Sequence, residues 1–357
     1  MGETNGDNKK KTAREIIENY NGPKVRIMEV CGTHTHEIFR LGIRKLLPEQ
    51  VELISGPGCP VCVTPVSFID EAIYLALEKG VTICTFGDLV RVPGTNMSLA
   101  GAREKGAKIR IVYSPVDAKE YAKEHPKEQV TFLSVGFETT TPSACLSVKK
   151  AREEGLTNYS ILTANKTMPQ AYEALKGSAD IFLYPGHVNA ITGTKLCEEL
   201  AKEGVSGVVA GFTAKELLTA LAVALARFQE GRPFFVNCYP RVVTENGSPQ
   251  AQKLVEEMME PCDSEWRGLG VIKGSGMRLQ EEWSAFDARK KYKIPPIQGK
   301  ANPACRCGDV LQGKCKPSDC KVFGKVCTPQ HPVGACMVSG EGACSAYYMY
   351  GEAEKMK

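Results

Sequence analysis

The sequence lacks the features that mark secreted, membrane-bound or nucleic-acid-binding proteins. Its first residues, MGETNGDNKKKT, contain no apolar signal-peptide stretch, and Gly6 stands where myristoylation requires Ser or Thr. The most apolar run, residues 217–226, is about half as long as a membrane span. The net charge is only +4, from 45 basic and 41 acidic residues, without a basic stripe. We therefore expect a cytoplasmic protein, monomeric when alone, that binds neither nucleic acid nor membrane.

Several catalytic motifs are also missing. The sequence contains no G-x-x-x-x-G-K-[ST] loop and no G-x-S-x-G elbow, which argues against a P-loop NTPase and an α/β-hydrolase. A full G-x-G-x-x-G dinucleotide fingerprint is absent as well. Common nucleotide and acyl-transfer chemistry is therefore not expected.

What the sequence has in excess is cysteine, with fifteen residues. Seven of them fall between positions 305 and 344, namely Cys305, Cys307, Cys315, Cys320, Cys327, Cys336 and Cys344. A second set, Cys31, Cys59 and Cys62, lies near the other end of the chain. Without a secretory signal, a disulfide framework is not the expected use of so many thiols. The expected use of these thiols is metal binding or thiol redox chemistry.

The chain alternates short β-branched runs with longer helical stretches, which predicts an α/β fold with parallel sheets. The predicted strands cover residues 25–30, 51–55, 81–85, 109–113, 130–135, 159–163, 180–184 and 207–211. Helices are predicted between them, for example over residues 67–79, 142–154 and 214–229.

The eight strands divide into two sets of four, because KVRIMEV followed by GTHTHE resembles QVTFLSV followed by GFETTTP. We expect two tandem Rossmann-like parallel-sheet domains of similar topology, followed by a C-terminal cysteine-rich iron–sulfur domain. The predicted boundaries are an N-terminal extension over residues 1–20 with a short helix, a first α/β domain over 21–127, a second over 128–293, and the cysteine-rich domain over 294–357. A proline-rich linker beginning at Ile294 introduces the last of these.

The segment from Cys31 to Glu37, CGTHTHE, follows the first predicted strand. Ligands of parallel α/β sheets gather beyond the carboxyl ends of the strands. Cys31, His34 and His36 could therefore offer one soft and two borderline ligands to iron or zinc. The alternative is that a threonine caps the next helix and that Cys31 is buried as a small apolar residue.

The segment GPGCPVCVTP contains Cys59 and Cys62 with two residues between them, again after a strand and before a helix. This spacing beside a βα unit is typical of thioredoxin-like redox pairs, in which a helix N-terminus lowers the pKa of one thiol. The two thiols could instead supply half of a zinc site. For a cytosolic chain we favour the redox pair.

The cysteine-rich tail offers many thiolates and, beyond His331, no histidine. That ligand set favours an iron–sulfur cluster, with two zinc sites as the alternative, because neither ferredoxin spacing is present. Elsewhere, Asp88, Arg91, Glu138 and His187 follow predicted strands, and we expect them to line a cleft between the two α/β units.

The segments CGTHTHE, GPGCPVCVTP, TFGD with RVPG, GFETTTP, PGHV and DCKVFGKVCTPQHPVGACMVSGEGACSAYY resemble, in order and over almost the whole chain, the HypD family of hydrogenase maturation factors. The resemblance implies a scaffold without conventional turnover, on which an iron centre with cyanide and carbon monoxide ligands is built. It also implies a HypC-type chaperone and a HypE-type cyanide donor as partners. Two α/β domains and a C-terminal [4Fe-4S] cluster are further implied.

Carried onto this sequence, the resemblance implies that Cys31 and His34 face the transient mononuclear iron. It implies thiol/disulfide pairs between Cys59 and Cys62 and between Cys307 and Cys336. The implied cluster ligands are Cys305, Cys320, Cys327 and Cys344. Cys315 has no counterpart role, and the remaining cysteines are read as structural (Cys84, Cys145, Cys197, Cys238 and Cys262). A cluster beside a dithiol is similar to ferredoxin:thioredoxin reductases, so a cluster-dependent disulfide reductase is the alternative function.

Overall fold

The computed structural model describes residues 11–351 of the chain. The first half of the predicted N-terminal extension and the last six residues of the predicted cysteine-rich domain lie outside the described residues. From Ala13 the extension forms a short helix, as predicted, closed by a capping box between Thr12 and Glu15.

Eleven strands are present in the described part of the chain, and the eight predicted strands are confirmed to within two residues. The strands are Val25–Glu29 (β1), Val51–Ser55 (β2), Thr82–Thr85 (β3), Ile109–Ile111 (β4), Val130–Gly136 (β5), Tyr159–Asn165 (β6), Ile181–Pro185 (β7), Ser206–Ala210 (β8), Phe235–Asn237 (β9), Met259–Trp266 (β10) and Gly270–Leu279 (β11). Every residue of β5, β7 and β8 is buried, as expected of parallel strands covered on both faces.

Helices connect the parallel strands. They are Ala13–Glu18 (α1), Gly32–Arg40 (α2), Pro60–Val63 (α3), Val66–Glu78 (α4), Leu99–Glu104 (α5), Pro115–Glu124 (α6), Thr141–Glu153 (α7), Met168–Ala174 (α8), Gly186–Thr192 (α9), Lys195–Lys202 (α10), Ala214–Phe228 (α11), Pro249–Met258 (α12), Ala288–Tyr292 (α13), Cys307–Leu311 (α14) and Ala343–Tyr350 (α15). Short 3-10 turns occupy Ile43–Leu46, Gly87–Arg91, Glu281–Phe286, Pro317–Asp319 and Ala335–Met337. Within residues 11–351, no helix combines the length and the apolarity needed to cross a bilayer.

The strands form two parallel sheets and one antiparallel hairpin. The first sheet has the order β2-β1-β7-β8-β9, the second has the order β4-β3-β5-β6, and β10 pairs with β11. The predicted fold class, two parallel α/β sheets with a cysteine-rich C-terminal region, is confirmed.

The two sheets are interleaved along the chain. The first sheet takes β1 and β2 from the N-terminal half and β7 to β9 from later in the chain, whereas β3 pairs with β5 in the second sheet. The predicted boundary between residues 127 and 128 therefore does not divide one sheet from the other. The reason is that the pairing of β3 with β5, and of β1 with β7, is decided by tertiary contacts and not by the order of the strands.

Each sheet contains a point where the chain changes direction. In the first sheet, β1 continues to β2 on one side, while its neighbour β7 continues to β8 on the other. Such a switch leaves a crevice beyond the carboxyl ends of the two central strands, where α/β proteins bind ligands. Cys31 follows β1 and Gly186 follows β7, so the Cys31 segment lies at this crevice.

The cysteine-rich tail shares the cores of the sheets. Cys327, Cys336 and Cys344 pack in one apolar cluster with residues of the first sheet. Helix α15 lies on α2, where the rings of Phe39 and Tyr347 meet edge to face at 4.6 Å between centroids. The tail is therefore anchored directly against the elements that carry Cys31.

Candidate functional site

Cys31 is the N-cap of helix α2 and is 8% exposed. Its position at the end of β1 is fixed by Glu29, a fully buried carboxylate that accepts hydrogen bonds from Thr35 (2.6 Å) and Arg44 (2.6 Å). Burial raises the pKa of the Cys31 thiol to about 12, although nearby main-chain N–H groups partly oppose the shift. At neutral pH Cys31 is thus a thiol, and a metal ion would have to replace its proton.

His34 lies in the first turn of α2, and its side chain is fully buried. Its Nε2 stands 3.1 Å and 3.3 Å from the carbonyl oxygens of Gly211 and Ala210, which can only accept, so Nε2 carries the proton. Nδ1 is then a buried lone pair without a partner in the described chain. Burial lowers the pKa of His34 to about 4, which keeps the ring neutral and able to bind a metal.

An aromatic stack borders the crevice of the first sheet. Phe212, just beyond β8, stacks on His34 at 4.7 Å and on His187 at 4.0 Å between ring centroids. His187 belongs to α9, which follows β7. The structure therefore brings His187, which the sequence placed in a cleft, close to the segment that carries Cys31.

Glu341 of the tail completes this end of the crevice and was not singled out from the sequence. It accepts a 2.6 Å hydrogen bond from the Thr33 hydroxyl, and its charge contributes to the raised pKa of Cys31. His36, also expected near the metal, points to the tail, where its Nδ1 donates to the Gly340 carbonyl at 3.0 Å. Both contacts join positions more than 300 residues apart, which no local sequence signal marks.

The segment around Cys59 packs directly on the Cys31 segment. The N–H of Gly32 donates to the carbonyl of Gly58 at 3.0 Å. A Cβ at Gly58 would lie 2.2 Å from the Cys31 nitrogen, so only glycine permits this approach. Cys59 is the N-cap of α3, a helix of a single turn, and Cys62 is its last residue but one. Both thiols are buried, with 3% and 0% exposure.

From this pair a continuous series of thiols runs into the tail. Cys62 interacts with Cys59 on one side and with Cys336 on the other. Cys336 in turn interacts with Cys307 and Cys344. The sulfur atoms of Cys305 and Cys307 lie 3.1 Å apart. We call these six residues the cysteine series. It joins the two regions of the sequence that were predicted separately.

The far end of the series opens into a small cavity, which we call the tail cavity. Its lining includes the four predicted cluster ligands and Cys307, together with apolar side chains (Cys305, Cys307, Cys320, Cys327, Cys344, Val310, Val322, Phe323 and Met337). The main-chain N–H of Val333 donates to the Cys327 sulfur at 3.3 Å. Cys315 lines a separate pocket beside Lys316 and Tyr347.

The thiols of the cysteine series have pKa values that are shifted in opposite directions. The pKa of Cys336 is lowered because the thiols of Cys307, Cys344 and Cys62 interact with its sulfur. The pKa values of Cys62 and Cys344 are raised by these contacts and by burial. A single negative charge in the group is therefore favoured at Cys336, and a second deprotonation nearby is opposed. All fifteen cysteines of the chain carry free thiols in this structure.

Arg267 connects the Cys59 segment to the tail and was not anticipated from the sequence. It lies in the turn between β10 and β11 and is only 8% exposed. Its Nε donates to the Thr64 carbonyl at 2.8 Å, and no ion pair neutralises it among residues 11–351. Its charge favours the thiolate form of Cys305, although the neighbouring Cys307 thiol and burial still hold the pKa of Cys305 above its usual range.

The other polar residues expected at strand ends are spread over the molecule. Arg91 donates to the Pro329 carbonyl at 2.7 Å and faces the tail. Glu138 accepts from the Met168 N–H at 2.8 Å, and burial raises the pKa of its carboxyl to about 7. Asp88 lies in the 3-10 turn after β3. Thus Asp88, Arg91 and Glu138 follow strands of the second sheet, whereas His187 belongs to the first.

The donor chemistry of the tail cavity fits an iron–sulfur cluster. The side chains there that could bind iron are thiols, and apart from Arg306 the other lining residues are apolar, as around cysteine-ligated clusters. A single-ion site is not preformed, because no group of three or more His, Cys, Asp or Glu side chains within the described range is arranged to hold one ion. Cys305, Cys320, Cys327 and Cys344 remain the predicted cluster ligands.

Comparison with known proteins identifies the family. The family model described as "HypD: Hydrogenase formation hypA family" matches residues 7–351. The protein named hydrogenase maturation factor HypD of Cupriavidus necator is 42% identical over 343 residues, which cover 92% of this chain and 90% of the relative.

Proteins of the same name from Rhizobium leguminosarum bv. viciae and Escherichia coli (strain K12) are 44% identical over 337 residues and 43% identical over 338 residues. These matches cover 91% and 92% of this chain, and 88% and 90% of the respective relatives. With nearly the whole chain matched by both the family model and these relatives, the protein belongs to the HypD family and has a role in hydrogenase maturation.

Proposed function

We propose that the protein is a redox-active cytoplasmic scaffold on which the iron centre of nickel–iron hydrogenases, with its cyanide and carbon monoxide ligands, is assembled. A HypC-type chaperone and a HypE-type cyanide donor are the proposed partners. The observation that carries the proposal is the cysteine series, since it connects the segment of Cys31 to the tail cavity through Cys59, Cys62 and Cys336.

The iron that is being assembled is the cargo, and Cys31 is its proposed anchor. Iron that carries cyanide and carbon monoxide is soft, and a thiolate is a fitting ligand for it. Cys31 is nearly buried at the crevice of the first sheet, so bound iron would be shielded from solvent. His34 offers its unpartnered Nδ1 as a second ligand, held by the hydrogen bonds of Nε2 to the ends of β8.

Cys59 and Cys62 are proposed as the redox pair next to this anchor. Formation of a disulfide between them releases two electrons and two protons, and its reduction takes them up again. Cys336 neighbours Cys62, and its contacts with other thiols lower its pKa, which favours its thiolate form. Cys307 and Cys336 form the proposed second pair, next to the tail cavity.

The four predicted ligands of the tail cavity would hold a [4Fe-4S] cluster. Such a cluster supplies electrons one at a time. Cys307 lines the same cavity and also interacts with Cys336, so the second pair lies between the cluster ligands and Cys62.

The alternative, a free-standing disulfide reductase, would require a thiol that can attack the disulfide of another protein. Cys59, Cys62 and Cys336 are exposed by 3%, 0% and 0%, so none of them is accessible to a protein substrate. Burial thus favours internal electron transfer over turnover of an external disulfide.

The decisive experiment is the anaerobic determination of iron and sulfide with Mössbauer spectra, with and without a HypC-type chaperone. The proposal expects one cysteine-ligated four-iron cluster in the protein alone. It expects an additional iron site, with infrared bands of diatomic ligands, in the complex. Turnover of a disulfide substrate by the isolated protein, with no additional iron in the complex, would instead establish the reductase.

A further inference from the structure

A large open cleft lies on the outer side of the tail. Its volume is about 990 Å³, and it runs between the loop after β3, which contains Arg91, and the tail segment from Lys300 to Asp309. The turn of Cys305, Arg306 and Cys307 lines both this cleft and the tail cavity. A molecule bound in the cleft would therefore be separated from the predicted cluster site by one turn of chain. We call this feature the tail cleft.

The tail cleft is strongly basic. Four cations line it, namely Arg91, Arg267, Lys300 and Arg306, against one carboxylate, Asp309. Asp309 pairs with Arg306 at 2.9 Å. The other three cations have no carboxylate partner among residues 11–351, because Arg91 and Arg267 donate to main-chain carbonyls and Lys300 makes no ion pair there.

The distribution of cations around the tail cleft suits the binding of a partner protein better than the binding of a small anion. Arg91, Lys300 and Arg306 are exposed around the cleft, whereas Arg267 is buried at it. Exposed cations that are distributed over an open surface act mainly by steering an oppositely charged partner and by orienting it. Neutral polar side chains, such as Asn96 and Asn302, line the cleft beside them.

We propose that the tail cleft is the docking site of a small acidic one-electron carrier protein of the flavodoxin or ferredoxin class, which reduces the cysteine centre. The inference rests on the proposed function, since it names the electron donor of that centre. Each carrier molecule would give up one electron to the cluster that Cys305, Cys320, Cys327 and Cys344 would hold. Two such transfers, with two protons from solvent, convert one disulfide of the cysteine series into two thiols.

The test uses the full chain, with and without its cluster, and reduced flavodoxin as the probe. Binding is measured by fluorescence anisotropy of labelled flavodoxin, and reduction of the cluster is followed by stopped-flow absorbance. Both are recorded over a range of salt concentrations. The test variant is Arg91→Glu with Lys300→Glu. The matched control, Lys202→Glu with Lys215→Glu, introduces the same charge change at exposed helix positions of the first sheet.

The charge reversal at the tail cleft should weaken flavodoxin binding and slow reduction by at least about tenfold at low salt, as for other steered encounters. Added salt should remove most of the difference. The control variant should behave as the wild type. Reduction by photoreduced deazaflavin, which needs no docking site, should be equal in all three proteins.

Equal binding and equal reduction rates in the two double variants, or rates that are independent of salt, would overturn the proposal. The cluster-free chain separates this result from a failure of the proposed function. If the protein never holds a cluster but still binds flavodoxin through Arg91 and Lys300, the docking site stands and the proposed function falls. If the cluster forms but flavodoxin binding does not change on substitution of Arg91 and Lys300, the proposed function is retained and the docking site is refuted.

Discussion

The main-chain N–H of Arg267 donates a 2.9 Å hydrogen bond to the carbonyl oxygen of Val63, the last residue of helix α3. The adjacent Gly268 lies against Gly308, where a Cβ would meet the Gly308 Cα at 2.2 Å. One turn of the β10–β11 hairpin therefore holds the Cys59 segment and the Cys307 helix at a fixed separation. The turn thereby connects the two segments that carry Cys59 and Cys307.

Arg267→Met should shift the midpoint potential of the tail cluster to more negative values. The substitution removes a buried positive charge near Cys305, and an anionic cluster accepts an electron less readily without it. Arg267→Lys keeps the charge and should retain most of the wild-type potential. A redox titration monitored by electron paramagnetic resonance measures both variants. Identical midpoint potentials for Arg267→Met and the wild type would show that the charge of Arg267 does not act on the cluster.

Cys320→Ala should abolish the tail cluster, because Cys320 is one of four predicted ligands around the tail cavity. Wild-type protein should contain about four irons and four sulfides. Cys197→Ala is the matched control, since Cys197 is buried, accepts a 3.3 Å hydrogen bond from Asn189 and does not line the cavity. It should keep the cluster and lose only about 1 kcal/mol of stability. Stoichiometric zinc without sulfide in the wild type would contradict the cluster.

Cys59 and Cys62 should form a disulfide under mild oxidation, because Cys59 is the N-cap of α3, Cys62 lies within this short helix, and their side chains interact. Mass spectrometry of alkylated protein before and after reduction detects the bond. In Cys59→Ser, the disulfide should move to Cys62 and Cys336, which also interact. A pair that stays reduced, or that binds zinc, would support the structural-zinc alternative.

Cys31→Ser should prevent hydrogenase maturation while the fold and the tail cluster remain intact. Serine is close to cysteine in size, but its hydroxyl is a hard ligand that binds soft iron poorly. The variant should purify with its cluster and melt near the wild-type temperature. It should fail to carry the diatomic infrared bands in complex with a HypC-type chaperone. Bands of normal intensity would mean that the iron is anchored elsewhere.

Glu138 should make stability depend on pH between about 4.5 and 7. Its carboxyl has a pKa of about 7 in the folded chain, raised by burial from 4.5, so the folded state holds the proton more tightly. The stabilisation is complete below pH 4.5 and is lost as the pH rises through 7. Glu138→Gln keeps an acceptor for Met168 and should flatten this profile, by up to about 3 kcal/mol. Urea denaturation of the wild type and of Glu138→Gln at several pH values measures this dependence. If the free energy of unfolding changes with pH in the same way in both proteins, Glu138 is not the group responsible.

The positions of the strands could be predicted from the sequence, but the pairing of strands that are distant along the chain could not. The eight predicted strands were correctly located because β-branched runs end at Gly, Pro or polar turns, which is local information. The pairing of β1 with β7 is set by contacts far along the chain. The same holds for Arg267 and Glu341, whose partners Thr64 and Thr33 lie 203 and 308 positions away.

Motif chemistry located the cysteines of interest, but it did not show that the two groups touch. The contact between Cys62 and Cys336 depends on the tail packing into the core of the sheets, which the composition of the tail alone did not indicate. The tail is rich in Gly and Pro, and its apolar residues that pack in this core, such as Met337, follow no periodic pattern.

The interleaving of the two sheets has a consequence for synthesis on the ribosome. Arg26 of β1 donates to Asp180, which lies 154 positions later, next to β7. At 5–20 residues per second, the nascent chain waits roughly 8 to 30 s between making β1 and making its partner. During that interval one edge of β1 has no strand to pair with, and the second sheet, whose strands are all made earlier, can close first. We expect β1 to complete its pairing later than the second sheet, and the emerging chain to need protection from aggregation until β7 has left the ribosome.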